Sequence, residues 1–595
     1  MKKILYLLIA GVLFMGCEDF LDTDPLTQKT SANFPQTRAD AEQLMAGIYT
    51  VMSSLQHRAD ESPFIIWEIA SDDKLGGGGL NDVKAQAYET FQFSDNEMTL
   101  WPWQTLYQGI HRANFALEVL DNVPDQELSP DMKDQFKGEA KFLRAWYYFQ
   151  LNTIFNEVPL KLTTEAINLP ASSADEIYGQ IASDLKAAIE LMPDVPYTST
   201  QQGRVTKWAA QALMARCFLF YTGFYGQQSI TLPEGGSVTR ANVISWLEDL
   251  TTNSGHHLVD DFHELWPYTN SLTIGDYDYI QDYMAETGKT LLYAADNGAR
   301  NPEAIFVQQF NNFAAWNIDR GYSNTYQLFF ALRGLQNVAR TFPFAGGWGQ
   351  GNSVPESLVN QWLEDEPNDP RLWASVIDIE AELMQRYVLS DPEDPNSELV
   401  YAGYQRGQWD FVMESNYWGK KIHGVAVRTE QGQYFSSYSH LMYGTQNNSQ
   451  LGHTDDLMFI RYADVLLMLS ELKEDATYMN EVRARVGLDP VTYTLENLQK
   501  ERRYELAFEG LRWNDMRRWG AEYTTTHLEH QEGVAILDYG QWTTHTALHP
   551  SGYTARYNAT QGFFPIPFSQ IRLSEGLLEQ NAGYTEGGLG LYQGY

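Results

Sequence analysis

Cysteine is nearly absent: 595 residues hold two, Cys17 and Cys217. Basic residues are also scarce, with 41 Lys and Arg against 77 Asp and Glu, a formal charge of −36. Such a surface repels phosphate backbones, so nucleic acid is excluded as a partner. It repels anionic lipid and polyanionic substrates as well, while neutral ligands are unaffected. Beyond Met15 no stretch approaches the roughly 18 consecutive apolar residues of a membrane-spanning helix. Catalytic signatures are missing too. No Gly-x-Ser-x-Gly elbow occurs. Thr287-Gly288-Lys289-Thr290 resembles half of a P-loop, but Tyr283 stands where the phosphate nest needs glycine. His256-His257 and His263-Glu264 lack the His-Glu-x-x-His order of a helical zinc site. With 77 acidic residues, paired carboxylates for glycoside hydrolysis are not excluded by counting.

What is present begins at the first residue. Lys2 and Lys3 precede an apolar run from Ile4 to Met15, which is followed by Gly16-Cys17. A basic start, a short apolar segment and a small residue before cysteine read as an export signal with lipoprotein processing. Phe14 occupies a position where Leu is usual. Cys17 is then the acylated mature N-terminus, and loss of residues 1–16 brings the formal charge to −38. The protein is expected at a membrane surface outside the cytoplasm, held by lipid. With Cys17 acylated, no intrachain disulfide can form. Cys217 lies in the apolar helical stretch Trp208–Tyr221 and is read as a buried, inert thiol. Core packing alone must hold the fold, although disulfides are permitted at such an address.

Residues 18–35 read as an extended tether. Ala41, Leu44, Met45, Ile48, Tyr49 and Met52 then fall on one helix face. Residues 71–98, with Ser71-Asp72-Asp73-Lys74 and glycines 76–79, read as a mobile loop. Helices are predicted at about 38–54, 100–120, 133–155, 174–192, 204–222 and 239–252, joined by proline-marked turns. Successive helices of this length suggest antiparallel pairs of tetratricopeptide type, without a fixed 34-residue period. Residues 255–456 are rich in Gly, Asn, Tyr, Trp and Pro, with short helices near 355–364 and 372–384. Loops of such length are usually functional. Helices resume at 457–472, 475–486 and 495–519, and the tail 521–595 reads as irregular. The expected organisation is a signal (1–16), a tether (17–35), a helical part (36–254), an irregular ligand-binding region (255–456) and a C-terminal helical part with its tail (457–595). The fold class is mostly α, a helical-pair scaffold overlaid by irregular chain.

Four segments carry a resemblance. They are Cys17-Glu18-Asp19-Phe20-Leu21-Asp22; Trp103 to Asn114; Ile460 to Leu466 with Asn480 to Leu488; and Glu501-Arg502-Arg503-Tyr504-Glu505 through Trp519. Pro565-Ile566-Pro567 and Asn581 to Tyr584 add to them. In this order the chain resembles the SusD/RagB family of outer-membrane lipoproteins of Bacteroidetes. That resemblance implies a surface-exposed, non-catalytic glycan-binding protein. It also implies a partner, a SusC-like TonB-dependent transporter for which this chain forms the lid. RagB-like members make peptide or glycopeptide binding the alternative, with a glycoside hydrolase behind it. From the residues alone, Leu498, Arg502, Glu505 and Glu509 share a helix face, and the dense Arg/Glu pairing reads as a structural ion-pair network.

The 16 Trp, 35 Tyr and 29 Phe suit sugar binding, because aromatic rings accept the apolar faces of sugar rings, and they equally suit a large core. Trp103, Tyr107, Trp146, Trp208 and Trp513 lie on predicted helices or scaffold motifs and are assigned to the core. Ligand contact is assigned to Trp101, Trp316, Tyr322 and Trp348, with Lys74, Asn317, Arg320 and Gln350 as hydrogen-bonding partners. The glycines flanking Trp348 are expected to leave its faces uncovered. No cofactor is expected. The oxygen donors Asp391, Glu393, Asp394, Asn396 and Glu398 suit a structural calcium in type, without EF-hand spacing, as do Asp276 and Asp278. His527 and His530 beside Glu529 and Glu532 are the other candidate metal group. Cys17→Ala is expected to release the protein from the outer membrane. Membrane fractionation in cells lacking the transporter checks this, and continued pelleting would refute the lipid anchor.

Overall fold

Polar caps start the long helices of the computed structural model. Thr37, Ser129, Ser173 and Thr206 each accept a hydrogen bond from the backbone N–H three residues on, filling donors the helix itself cannot satisfy. Described are residues 34–546 and 552–584, apart from 80, 94–96, 313–322, 336–337, 386, 390–395, 402, 408–409 and 446–447. Cys17 therefore lies outside the described residues. The N-terminal helices are α1 (Arg38–His57), α2 (Pro63–Ile69), α3 (Val83–Thr90), α4 (Leu100–Val119), α5 (Pro130–Phe155), α6 (Ala174–Leu191), α7 (Lys207–Phe224) and α8 (Arg240–Asn253). From α4 to α8 each packs on the next, the tetratricopeptide-like arrangement. The six predicted helices appear within a few residues of their expected ends. Helices α2 and α3 were not legible, because α2 is buried on every side and so has no amphipathic period.

Helix α5 is the axis of the core, buried all round from Phe142 to Phe155. Trp146 meets Trp67 of α2 at 6.3 Å between ring centroids, and meets Phe306 and Phe459 at 5.3 Å each. Phe306 and Phe459 lie on the paired strands Ala304–Gln308 and Leu457–Arg461, which fasten the later part of the chain to the helical part. Cys217 is fully buried, and burial pushes its thiol up, consistent with an inert group. Trp103, Trp146, Trp208 and Trp513 are buried, and Tyr107 is half-buried against the core.

Several expectations need correction. Residues 457–461 form a strand rather than the first turn of a helix, because their ladder partner lies about 150 residues upstream; α9 starts at Tyr462 and runs to Lys473. Helix α10 is Ala476–Arg485. Glu356–Asp365 is helical as expected, but 372–384 divides into helix Arg371–Ser375, strand Val376–Asp378 against Tyr417–Gly419, and a short π-helix Ile379–Met384. The segment 495–519 is two helices, α11 (Leu495–Leu506) and α12 (Arg512–Arg518). Between them Phe508 and Gly510 take φ of 65° and 72°, and a Cβ on Gly510 would come within 2.8 Å of the Phe64 ring. Glu509 thus sits beyond the helix whose face it was assigned to. The tail is more ordered than expected, with helices Ala521–Leu528, Gly552–Thr560 and Phe568–Leu573 and the hairpin Ala535–Asp538/Gln541–Thr544.

Buried ion pairs surround α11. Glu505 meets Arg371 at 3.0 Å, Arg461 at 2.6 Å and also Arg485. Burial alone would raise its carboxyl, but Arg485, Arg461 and Arg371 outweigh that and hold it well below the usual carboxylate range. Glu501 pairs with Arg371 and Arg483, and Glu509 with Arg461 and Lys421. Arg502 bridges Asp464 and Asp515, each at 2.9 Å. The expected structural network is present, and it extends much further than α11.

One extension overturns the mobile loop. Residues 71–79 are buried. Asp72 lies 2.7 Å from both Arg503 and Arg512, and Asp73 lies 2.9 Å from Arg503. Lys74 is 1% exposed, pairs with Glu68 at 2.8 Å and sits 3.7 Å from the centre of the Phe330 ring. Local composition suggested a mobile loop, but the countercharges that lock it lie more than 400 residues away in sequence.

Asp464 reports on this network. Burial would raise its carboxyl, but Arg216 and Arg502 outweigh it and bring it down to about 2. The stability it confers is complete above the ordinary carboxylate pKa of about 4 and is lost as pH falls through about 2. Asp464→Asn should cost at least about 2 kcal/mol at neutral pH. Its urea midpoint should also fall less steeply than the wild-type midpoint between about pH 4 and pH 2. Denaturation curves across that range measure both effects, and equal midpoints at neutral pH would refute the assignment.

Candidate functional site

Gly346 and Gly347 run as a short strand parallel to Leu332–Arg333. A Cβ on either glycine would lie 2.3 Å from a carbonyl oxygen, that of Gly334 or of Leu328. The glycines therefore allow two backbones to press together; they are not there to uncover the tryptophan, as their flanking positions in the sequence suggested. The next turn of chain, residues 348–351, is held from several sides. The Trp348 N–H donates to the Leu328 carbonyl at 3.0 Å, Gln350 N–H to Phe329 at 3.0 Å, and Gly351 N–H to Gly77 at 2.7 Å. On this pinned backbone the Trp348 indole stands 37% exposed, with the edge of Phe329 at 6.4 Å between centroids.

Polar side chains lie on the segments packed near this turn: a Cβ on Gly349 would come within 2.9 Å of the Arg333 Cβ. Arg333 pairs with Asp410 at 2.9 Å, and its guanidinium lies 4.3 Å from the centre of the Phe411 ring. Gln350 donates through Nε2 to Asp82, whose other oxygen accepts from Gly79 N–H at 2.6 Å. Burial raises the Asp82 carboxyl, against the pull of the Gly79 N–H and Arg333. Strand Gly78–Gly79 pairs with the buried strand Phe411–Val412, and Gly77 accepts from Gly351 N–H, so the locked loop joins the Trp348 turn to the 410–412 segment.

Trp101 opens α4 at the far end of a polar strip. Arg58 lies 4.7 Å from its ring centre. Arg58 reaches Glu61 at 3.4 Å, Glu61 reaches Lys84 at 2.5 Å, and Lys84 reaches Asp60 at 3.3 Å. The charge of Asp60 is in turn felt at Asp82. The arrangement offers a part-exposed indole on a turn whose neighbouring segments carry hydrogen-bond donors and acceptors.

Of the sequence-assigned residues, Trp348 and Gln350 lie on the same pinned turn, and Trp101 lies beside Arg58 at the start of α4. Lys74 is corrected: it is buried in the ion-pair network and presents no face to solvent, because Glu68 and the Phe330 ring enclose its ammonium. Burial lowers its pKa, with Glu68 opposing. Trp316, Asn317, Arg320 and Tyr322 lie outside the described residues. Asp82, Arg333, Asp410 and Phe411 were not foreseen. A charged residue next to a glycine run was the available signal for Asp82, and an arginine between an apolar run and Gly334 that for Arg333.

The histidines of the candidate metal groups have protein partners. His263 contacts Asp261 at 2.7 Å and Tyr279 at 2.9 Å, and His527 stacks on Tyr523 at 3.9 Å. Asp391, Glu393 and Asp394 lie outside the described residues. Among the described residues no three metal-ligating groups converge, and no helix is long and apolar enough to cross a membrane.

Known proteins share this frame. Residues 19–219 match a family model described as starch-binding and associating with the outer membrane, and residues 302–584 match the SusD family. A SusD-like protein of Formosa agariphila is 22% identical over 95% of this chain and 96% of its own length. Among solved structures, a laminarin-binding SusD-like protein superposes with TM-score 0.65 at 23% identity, covering 92% of this chain and 100% of that one. Surface glycan-binding protein A of Bacteroides thetaiotaomicron, in complex with laminarihexaose, gives the same TM-score at 18% identity and the same coverage. With both parts of the chain matched in order and the helical frame in common, this protein belongs to the SusD/RagB family.

Proposed function

We propose that this chain is a non-catalytic glycan-binding lipoprotein of the outer cell surface. It captures oligosaccharides and passes them to a SusC-like TonB-dependent transporter, which it covers as a lid. The observation that carries the binding role is Trp348: an indole 37% exposed on a pinned backbone, with Arg333, Gln350, Asp82 and Asp410 on the turn itself and on the segments that pack near it. A flat apolar face takes the C–H side of a sugar ring, and the polar groups pair with its hydroxyls. The formal charge of −36 is no obstacle to a neutral oligosaccharide. Because two structural neighbours are named for laminarin and laminarihexaose, laminari-oligosaccharides are the first ligands to try.

Trp348→Ala should weaken glycan binding about tenfold or more with an unchanged melting temperature, taking a stacked ring as worth about 1–3 kcal/mol by analogy with base stacking. Lys74→Met should do the reverse. It leaves Glu68 charged and buried, costing about 3–5 kcal/mol of stability, while affinity at permissive temperature is retained. Calorimetric titration and thermal melts on both variants measure this. Wild-type affinity in Trp348→Ala would place the platform elsewhere, and release of reducing ends by the wild-type protein would overturn the non-catalytic reading. Co-purification with a TonB-dependent transporter from outer membranes tests the lid role.

A further inference from the structure

Strand Phe411–Val412 has a second neighbour. On one side it pairs with Gly78–Gly79 of the candidate site. On the other, Tyr539 N–H donates to the Phe411 carbonyl at 2.7 Å, and Leu537 and Glu414 exchange backbone hydrogen bonds at 2.7 and 3.2 Å. Met413 N–H adds a bond to the Asp538 carboxylate at 2.7 Å. The hairpin Ala535–Asp538/Gln541–Thr544 therefore continues the same β-ribbon away from Trp348. Its last strand, Gln541–Thr544, is exposed at every residue, and Trp542 is 53% exposed, the highest value for any tryptophan among the described residues.

Trp542 is also oriented. It stands across from Leu537 in the ladder, and the Arg406 guanidinium lies 5.2 Å from its ring centre. Arg406 is itself anchored by Asn416 and lies 3.5 Å from Glu380. A large ring on a strand with little beneath it buries little area for its size. An exposed aromatic face with a cation at its side, and Thr544 two residues on along the same face of the strand, offers a stacking ring with polar partners.

We infer that the 535–544 hairpin is a second stacking platform for the same glycan, so that the site is elongated and takes a chain of several sugar units. This inference rests on the glycan-binding reading and adds the length of the ligand to it. Neighbouring strands lie about 4.8 Å apart, so the outer strand stands about 14 Å from Gly78–Gly79 across the ribbon. One sugar ring cannot span that distance.

The test uses the full mature chain and the tri- and hexasaccharides of four glucan and xylan series: laminari-, cello-, malto- and xylo-oligosaccharides. Calorimetry on the best-bound series is expected to show that Trp542→Ala weakens the hexasaccharide about tenfold and leaves the trisaccharide unchanged. Trp348→Ala should weaken both, and Trp542→Phe, which keeps an aromatic face, should restore most hexasaccharide affinity. Equal hexasaccharide affinity in Trp542→Ala and wild type overturns the second platform alone and leaves the parent reading intact. Loss of both lengths together with a lowered melting temperature would give Trp542 a structural role and overturn it too. A wild-type protein that binds none of the eight oligosaccharides overturns the parent reading and this inference with it.

Discussion

Charge taken out of water around α11 is the constraint on which the remaining structure depends. Removing a carboxylate or guanidinium from solvent costs several kcal/mol per ion, recovered only when a countercharge arrives in good geometry. Glu501, Arg502, Arg503, Glu505 and the nearby Glu509 and Arg512 are all buried or nearly so. Their partners come from residues 72–73, 371, 421, 461–485 and 515. No local rearrangement can satisfy them, so the helical part, the irregular region and the C-terminal helices must assemble together. The apolar packing around α5 supplies most of the favourable free energy, while the ion pairs restrict it to one arrangement.

The candidate site inherits its rigidity from that network. Asp72 and Asp73 are held by Arg503 and Arg512, and the adjoining glycine run is carried into contact with Phe411–Val412 and Gly351. The Trp348 turn is then pinned by bonds to Leu328, Phe329 and Gly77. A binding surface ordered before the ligand arrives loses less side-chain and loop entropy on association. Lys74 shows the division of labour. A lysine beside a glycine-rich loop reads as a ligand contact, but here it neutralises Glu68 inside the wall that supports the surface.

Long amphipathic helices were legible because their apolar spacing repeats with the helix and needs no knowledge of neighbours. Helices α1 and α4–α8 fall close to their expected bounds. Helices α2 and α3 and the strand 457–461 were not, since complete burial erases periodicity and a ladder partner far along the chain leaves no local trace. At the candidate site, Trp348 and Gln350 were proposed by exclusion from the scaffold, whereas Asp82, Arg333 and Phe411 gain their place only from strand pairing.

By itself the sequence determined the helical class, the positions of the long amphipathic helices, the buried Cys217, a charge unsuited to polyanions and the family motifs. Each of these is a property of composition or of spacing within a few turns. Tertiary structure alone decided that the 71–79 loop is locked, that Lys74 is buried, that α11 ends before Glu509, and that Arg333 pairs with Asp410. The physical reason is range. Electrostatic pairing and strand ladders act through space across hundreds of residues of sequence, and the cost of burying a charge is set by whatever the fold brings to meet it.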